Sequence, residues 1–197
     1  KLLSTPEERT DLFAAHGVDV VITHLFDREL ANTTAYDFMV LLKKHLGVTH
    51  LVLGYDVALG KGREGTSTRL AEIGRELGYT VQVVSALSDE SRVISSTEIR
   101  KLVGVGNVSE VAKLLRRPYS MRGPVIHGDA RGRTINIPTA NIGYAPEKLI
   151  PANGIYACWA YVGDVVSPYR AAVNVGFNPT FTPDKKTANV EAHLLDF

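Results

Sequence analysis

The sequence has only one cysteine in 197 residues, Cys158, so an internal disulfide is excluded and a reducing, cytoplasmic setting is expected. It has no apolar run of the ~18 residues that a membrane-spanning helix requires, and residues 1–6 hold no apolar segment typical of a signal peptide. The formal net charge is +1, too small to attract nucleic acid or an anionic membrane. We therefore expect a globular cytoplasmic protein with neither of those partners, and its oligomeric state stays open.

The two ends of the sequence suggest a piece of a longer protein. The chain begins with Lys1 instead of Met, and it stops at Phe197, just after an alternating apolar run at 190–195. A strand that ended there would leave its sheet unfinished. We expect an internal fragment that is inactive by itself.

Residues 1–117 alternate predicted helices with predicted strands. Thr5 and Pro6 start a helix that Gly17 ends. The helices predicted after it are 36–46, 67–77, 96–103 and 108–116, and the predicted strands are 18–23, 49–53 and 80–84. Strands separated by such helices predict parallel βαβ units in a sheet buried on both faces, the Rossmann-like form of an α/β domain.

The pattern changes after Arg117 and Pro118, where helical periodicity ends. Short apolar runs punctuated by Gly and Pro follow, at 123–126, 154–162 and 170–175, with a hairpin turn at 162–165. Many short strands with few helices predict a small antiparallel β-barrel. We therefore predict an α/β domain at 1–117 and an all-β domain at 118–197.

A glycine-rich loop follows the predicted strand at 49–53. Gly54 and Gly60 would let the backbone approach a ligand, and Lys61 and Arg63 could meet phosphates. Taken alone, the loop fits a solvated turn with two surface cations better than a binding site.

A second polar segment lies at the start of the helix predicted at 96–103. Backbone N–H groups and the hydroxyls of Ser96 and Thr97 converge there, and Arg100 follows one turn later. This combination predicts a cradle for a polyphosphate. A plain helix cap with an exposed arginine explains the same residues equally well.

The segment at 123–141 combines a strand, a loop rich in Gly and Arg, and two neutral oxygen donors. The loop could fold over phosphates with its N–H groups and guanidiniums. Thr139 and Asn141 face the same way in an extended segment, so their oxygens can converge on one Mg²⁺ ion. By itself, however, a Thr-x-Asn pair fits a polar turn better.

The order of these motifs resembles that of the bifunctional bacterial riboflavin kinase/FAD synthetases. On the kinase side, a glycine-rich flap precedes Pro138-Thr139-Ala140-Asn141, and segments similar to the family's later strands follow at 152–157, 172–181 and 190–197. On the adenylyltransferase side, residues 94–100 match the family's Ile-Ser-Ser-Thr-x-Ile-Arg motif. The loop at 54–60 matches its Gly-x-Asp-Phe-x-Phe-Gly motif at Gly54, Asp56 and Gly60.

The kinase resemblance implies roles for particular residues. The flap over the nucleotide would include Gly128, Arg131, Gly132 and Arg133. Thr139 and Asn141 would ligate Mg²⁺ together with ATP phosphates. Glu191 would be the base that takes the proton from the riboflavin 5′-hydroxyl. Taken alone, Glu191 fits an exposed polar position in an alternating strand. His127 and His193 have no ligand spacing typical of zinc, and we interpret both as structural or peripheral.

The adenylyltransferase resemblance implies that Ser96, Thr97 and Arg100 bind ATP phosphates. It also implies that Asp56, with Gly54 and Gly60, lies beside the FMN or adenylate end. The chain departs from the family in three places. The aromatic loop positions hold Val57 and Leu59, Asn136 replaces a glycine before the Pro-Thr-Ala-Asn run, and no His-x-Gly-His is present. We expect that last motif upstream of Lys1.

The resemblance implies a Rossmann-like nucleotidyltransferase domain followed by a riboflavin-kinase-type β-barrel, both partial. Such a protein would convert riboflavin to FMN and FMN to FAD, using ATP and Mg²⁺. Two alternatives stay open: a monofunctional riboflavin kinase with a degenerate N-terminal half, and a non-catalytic module that binds flavins or nucleotides. A His-x-Gly-His upstream would favour the bifunctional enzyme.

Overall fold

The computed structural model describes residues 1–89, 92–127, 137–163, 165, 167–176 and 188–197. Its helices are α1 (Pro6–Ala15), α2 (Arg28–Asn32), α3 (Ala35–Leu46), α4 (Ser67–Leu77), α5 (Ser96–Gly104) and α6 (Val108–Leu115). Its strands are β1 (His50–Gly54), β2 (Thr80–Val84), β3 (Ser88–Asp89), β4 (Arg92–Val93), β5 (Val125–Ile126), β6 (Ala140–Ile142), β7 (Gly154–Ala160), β8 (Tyr169–Gly176) and β9 (Asn189–Leu194). Within these residues no helix has the length and apolar character needed to cross a membrane.

The chain forms two compact units. The central unit is Val20–Ile94, and the split unit combines Lys1–Asp19 with Ser95–Phe197. The split unit therefore contains α1, although α1 precedes the central unit in sequence.

The central unit contains the predicted βαβ unit. β1 and β2 pair in parallel, from His50 opposite Thr80 to Gly54 opposite Val84, and α4 connects them. One face of the pair packs on α3 and α4 around a buried apolar core, made of Ala35, Met39, Leu53, Leu70, Ile73 and Tyr79. The α/β class expected for this half is confirmed.

Two helices of the central unit, α3 and α4, begin and end within one residue of their predicted bounds, because their signals are local, whereas α2 was not predicted. The side chains of Thr34 and Thr66 accept backbone hydrogen bonds at the starts of α3 and α4. Gly47 and Gly78 end the two helices with φ angles of 63° and 73°, which glycine adopts without strain.

Two expectations for this half are wrong. Residues 18–23 form no strand, and Val20 and Ile22 are 73% and 62% exposed. A strand needs a paired neighbour, and the described residues place none beside this run. The sheet is also not buried on both faces, since Val52 is 60% exposed while the adjacent Leu53 is buried.

The split unit contains an antiparallel five-stranded sheet in the order β5-β6-β9-β8-β7. One face of it is buried, because alternate residues of β8 and β9 point into a core that includes Val175, Val190 and Ala192. This sheet confirms the all-β class expected for the C-terminal half. Among the described strands, β5 and β7 are edges, and no pairing between them closes the sheet into a barrel.

A buried lysine fixes the Lys1–Asp19 segment to the C-terminal half of the chain. Lys148 Nζ lies 2.5 Å from Glu8 Oε2 and 2.9 Å from the Leu3 carbonyl oxygen, with 2% of the lysine side chain exposed. The same ammonium lies 4.7 Å from the centre of the Tyr119 ring. We call these four residues the Lys148 clamp.

The charges of the Lys148 clamp depend on one another. Burial lowers the pKa of Lys148, and the Glu8 carboxylate opposes this through a hydrogen bond and its charge. Burial raises the pKa of the Tyr119 hydroxyl, and the negative charge of Glu8 raises it further. Glu8 also belongs to the capping box of α1, where its side chain accepts the Thr5 N–H. One carboxylate thus starts α1 and compensates a buried charge.

Candidate functional site

One row of side chains crosses the exposed face of the five-stranded sheet. The row follows from the register, because residues directly opposite each other on paired strands project from the same face. Glu191 of β9 lies opposite Asn141 of β6 on one side and Asn174 of β8 on the other. Ile126 of β5 and Ile155 of β7 complete the row at its two ends.

The residues beside Glu191 direct its carboxylate away from the core. Val190 and Ala192, its neighbours along β9, are buried at 4% and 7% exposure, so the alternation places Glu191 on the other face. Glu191 and Asn141 are half-buried, and Asn174 is exposed. A polar, accessible strip therefore lies between the two isoleucines at the ends of the row.

Thr139 lies close to this strip, just before β6, and its side chain is exposed. His193, two residues after Glu191 on the same face, has Nδ1 at 2.7 Å from the Pro138 carbonyl oxygen. A carbonyl can only accept, so Nδ1 carries the proton in this contact. His193 thus fixes the backbone immediately before Thr139. We predicted a structural or peripheral role for His193, and this contact with the backbone is a structural one that depends on the pairing of β6 with β9.

The oxygen donors of this strip fit Mg²⁺ better than zinc. They are two amide carbonyls and one carboxylate, with the Thr139 hydroxyl beside them, and these are the oxygen types that Mg²⁺ takes beside substrate phosphates. Within the part of the chain that the structure describes, no group of three or more His, Cys, Asp or Glu side chains could hold a metal. The predicted flap residues Gly128, Arg131, Gly132 and Arg133, and the variant position Asn136, lie outside the described residues.

The glycine-rich loop of the central unit packs against the start of α3. Gly60 has a φ of 74°, and a Cβ there would lie 2.4 Å from the Ala35 nitrogen. Leu59 and Gly65 exchange backbone hydrogen bonds of 3.0 and 2.8 Å that close the loop. Gly60 therefore has a packing reason to be glycine, independent of any ligand. Gly54 is half-buried, and the Asp56 side chain is exposed.

The predicted polyphosphate cradle forms the first turn of α5. Ser95 is the N-cap, and its hydroxyl accepts the Glu98 N–H at 3.2 Å. Ser96 and Thr97 are exposed on the first turn, so their hydroxyls are accessible. Arg100 is exposed and donates from Nε to the Lys1 carbonyl oxygen at 3.1 Å.

The predicted site residues fall into three groups in the structure. Asn141 and Glu191 are register partners, with Thr139 beside them. Ser96, Thr97 and Arg100 lie on α5 of the split unit, whereas Gly54, Asp56 and Gly60 belong to the central unit. Asn174 completes the first group. It lies in the segment 172–181 that resembles the family, but we predicted no role for it, because its position opposite Glu191 follows only from strand register.

Two family models match consecutive parts of the chain. The FAD synthetase model matches residues 1–98, and the riboflavin kinase model matches residues 115–197. Together they cover both halves, with residues 99–114 between them.

Curated relatives match along the whole chain. A bifunctional riboflavin kinase/FMN adenylyltransferase of Listeria monocytogenes is 36% identical over 100% of this chain and 62% of its own length. The enzyme of the same name from Escherichia coli K12 is 35% identical over 98% of this chain and 61% of its own length. The bifunctional riboflavin kinase/FMN adenylyltransferase of Bacillus subtilis 168 is 34% identical over 100% of this chain and 62% of its own length. The chain thus spans less than two thirds of these relatives.

A solved structure has the same fold. It is a crystal structure described as that of a macrolide-efflux protein from Streptococcus pneumoniae. The two share 34% sequence identity and a TM-score of 0.86, over 99% of this chain and 62% of the other.

Proposed function

Residues 1–98 belong to the FAD synthetase family and residues 115–197 to the riboflavin kinase family, and we propose that the protein makes flavin cofactors in two ATP-dependent steps. The first step converts riboflavin and ATP to FMN and ADP. The second converts FMN and ATP to FAD and pyrophosphate. The observation that carries the proposal is the row in which Glu191 lies between Asn141 and Asn174, inside the segment that matches riboflavin kinase.

In the kinase step, we assign Glu191 as the general base. Its carboxylate takes the proton of the riboflavin 5′-hydroxyl as that oxygen attacks the γ-phosphorus of ATP and the bond to ADP breaks. A carboxylate on the accessible face of a rigid sheet is suited to this, because a base must lie within hydrogen-bond reach of its proton. The nearby Thr139 and Asn141 would hold Mg²⁺, which when bound offsets charge on the phosphate oxygens.

The flap of the kinase half completes this proposal. Gly128 and Gly132 would let the flap approach the nucleotide, and Arg131 and Arg133 would add guanidinium contacts to phosphates. These roles rest on the family resemblance alone.

In the adenylyl-transfer step, Ser96, Thr97 and Arg100 would bind the ATP phosphates. Support comes from the accessible hydroxyls at the positive end of α5. Gly54, Asp56 and Gly60 would lie beside the flavin or adenylate. We propose a boundary between the two catalytic parts near Arg117 and Pro118, between the ranges that the family models match, and a cytoplasmic location consistent with the single cysteine.

The efflux role named for the S. pneumoniae structure is not proposed for this chain. Both matched family models and the curated relatives are named for flavin-forming enzymes. The donor set of the strip also fits phosphoryl transfer.

A Glu191→Gln variant of the full-length protein tests the proposal. Riboflavin phosphorylation should fall by about 10²–10⁴-fold, the range for loss of a general base. Binding of Mg·ADP and conversion of FMN to FAD should be unchanged, because only the proton acceptor is lost. Glu147→Gln, an exposed glutamate of the split unit, serves as the control and should retain the wild-type rate.

The same assays separate the alternatives. An unchanged phosphorylation rate in Glu191→Gln would remove the base assignment. A wild-type protein that forms FMN but no FAD would be a monofunctional kinase. One that binds flavin and nucleotide without either reaction would be a binding module.

A further inference from the structure

Asn174 lies beside Glu191, but the reaction proposed above gives it no role. It lies directly opposite Glu191 on β8, across from Asn141 on β6, so the glutamate is flanked by an amide on each side. Side chains opposite each other on antiparallel strands have Cβ atoms about 4.5–5.5 Å apart, which is within reach of a hydrogen bond between an amide and a carboxylate. Asn174 is exposed and lies on the accessible face of the sheet.

A general base needs a fixed orientation, and among the described residues the Glu191 carboxylate has no hydrogen-bonded partner. Of its two amide neighbours, Asn141 is assigned to the cation through its side-chain oxygen. Asn174 has no other assigned role, and its side-chain nitrogen provides two N–H donors. A neutral donor also suits a base, because a cationic partner would stabilise the charged carboxylate more strongly and make it a weaker proton acceptor.

We propose that Asn174 is a positioning residue for Glu191. When the substrates are bound, its side-chain N–H donates to one carboxylate oxygen, and the other oxygen is directed at the hydroxyl that loses its proton. This inference rests on the proposed kinase reaction. Asn174 acts through Glu191 and makes no bond to the reacting atoms.

The proposal predicts a specific order among substitutions at Asn174, measured in the full-length protein. Asn174→Ala removes the donor and should lower kcat for riboflavin phosphorylation by about tenfold, with KM for both substrates and the affinity for Mg·ADP unchanged. Asn174→Asp has the same shape but presents a carboxylate to a carboxylate, so its kcat should fall further. Asn174→Ser keeps a hydroxyl donor and should recover part of the rate.

A double-mutant cycle with Glu191→Gln separates positioning from a structural role. If Asn174 acts through the base, Asn174→Ala should have no further effect once Glu191 is replaced. Asn153→Ala, an exposed asparagine of the same unit, is the matched control and should leave kcat unchanged in both backgrounds. Melting temperatures of all variants would verify that each is folded.

Other outcomes would overturn the inference. These are an unchanged kcat in Asn174→Ala, an increase in riboflavin KM alone, or an equal loss in the wild-type and Glu191→Gln backgrounds. Failure of the proposed function itself would look different, because the wild-type protein would then form no FMN.

Discussion

At the scale of single residues, the site depends on a contact between a side chain and the backbone. His193 holds the Pro138 carbonyl, and Thr139 follows immediately in the chain. A backbone fixed just before Thr139 restricts where its hydroxyl can lie. The His193 imidazole would thus assist cation and nucleotide binding indirectly, by fixing Pro138, the residue before Thr139.

We expect His193→Ala to weaken nucleotide binding more than it slows the reaction. A neutral hydrogen bond contributes about 1 kcal/mol, so KM for Mg·ATP should rise about fivefold while kcat changes little. Steady-state kinetics of riboflavin phosphorylation by the full-length protein measure both constants.

His193→Asn is the matched control for that variant. The asparagine amide nitrogen can occupy the place of Nδ1 and donate to the same carbonyl, so KM should stay near the wild-type value. Equal KM values in the alanine and wild-type proteins would mean that the contact has no role in nucleotide binding.

At the scale of secondary-structure elements, the loop after β1 is shaped by its fit to α3. Gly60 has φ 74° and ψ 173°, a conformation that only glycine adopts readily. Gly62 has φ 63° and ψ 17°, and a Cβ there would meet open space. Both glycines have a positive φ, but only at Gly60 would a Cβ overlap a neighbouring residue. Comparing substitutions at the two positions therefore separates the cost of the backbone conformation from the cost of the overlap.

Substituting these two glycines should give different losses of stability. Gly62→Ala should lower the free energy of unfolding by about 1 kcal/mol, the cost of a left-handed conformation. Gly60→Ala should lower it by about 3 kcal/mol, because its Cβ would also overlap the backbone of Ala35. Urea denaturation measures both, and equal losses would contradict the packing explanation.

The elements that the sequence predicted correctly are those with local signals. α4 and β2 were predicted with the bounds that the structure has, because Thr66 and Gly78 mark the helix ends and a β-branched run follows. The run at 18–23 has the same composition as a strand, but none of the described strands pairs with it, and composition does not report on partners.

The site was predictable in part for the same reason. Thr139 and Asn141 are two residues apart, so an extended backbone alone places them on one face. Their nearness to Glu191 depends on pairing between β6 and β9, which no local pattern encodes. The resemblance to a family identified Glu191 and the segment that contains Asn174, whereas the position of Asn174 opposite Glu191 follows only from the register of β8.

At the scale of the whole molecule, the Lys148 clamp links residues far apart in sequence. The side chains of Lys148 and Glu8 are 2% and 11% exposed, so removing the carboxylate would leave a buried ammonium without a counter-ion. Loss of one partner of a buried pair is much more costly than loss of a surface charge.

We predict that Glu8→Gln lowers the free energy of unfolding by about 3 kcal/mol near neutral pH. Glu7→Gln, the exposed neighbour in the same helical turn, should lower it by less than about 0.5 kcal/mol. Urea denaturation compares the two, and similar losses would show that the clamp does not stabilise the split unit.

The Glu8→Gln loss should also depend on pH, with a defined sign. Burial lowers the pKa of Lys148 from 10.5, so between the folded and unfolded pKa values the unfolded chain binds more protons and stability rises with pH. Without Glu8 the pKa of Lys148 in the folded protein falls further, so the pH range in which stability rises with pH begins at a lower pH. The loss should therefore be smaller at about pH 9.5 than at about pH 7, whereas Glu7→Gln should show no such trend.

The clamp also constrains the order in which this protein takes shape during synthesis. Glu8 leaves the ribosome 140 residues before Lys148, and at roughly 5–20 residues per second this delay is on the order of ten seconds. During that time the capping box of α1 can form, but the Glu8 carboxylate cannot yet pair with the Lys148 ammonium. The helix α1 can therefore reach its final place only after Lys148, 140 residues further along the chain, has been translated.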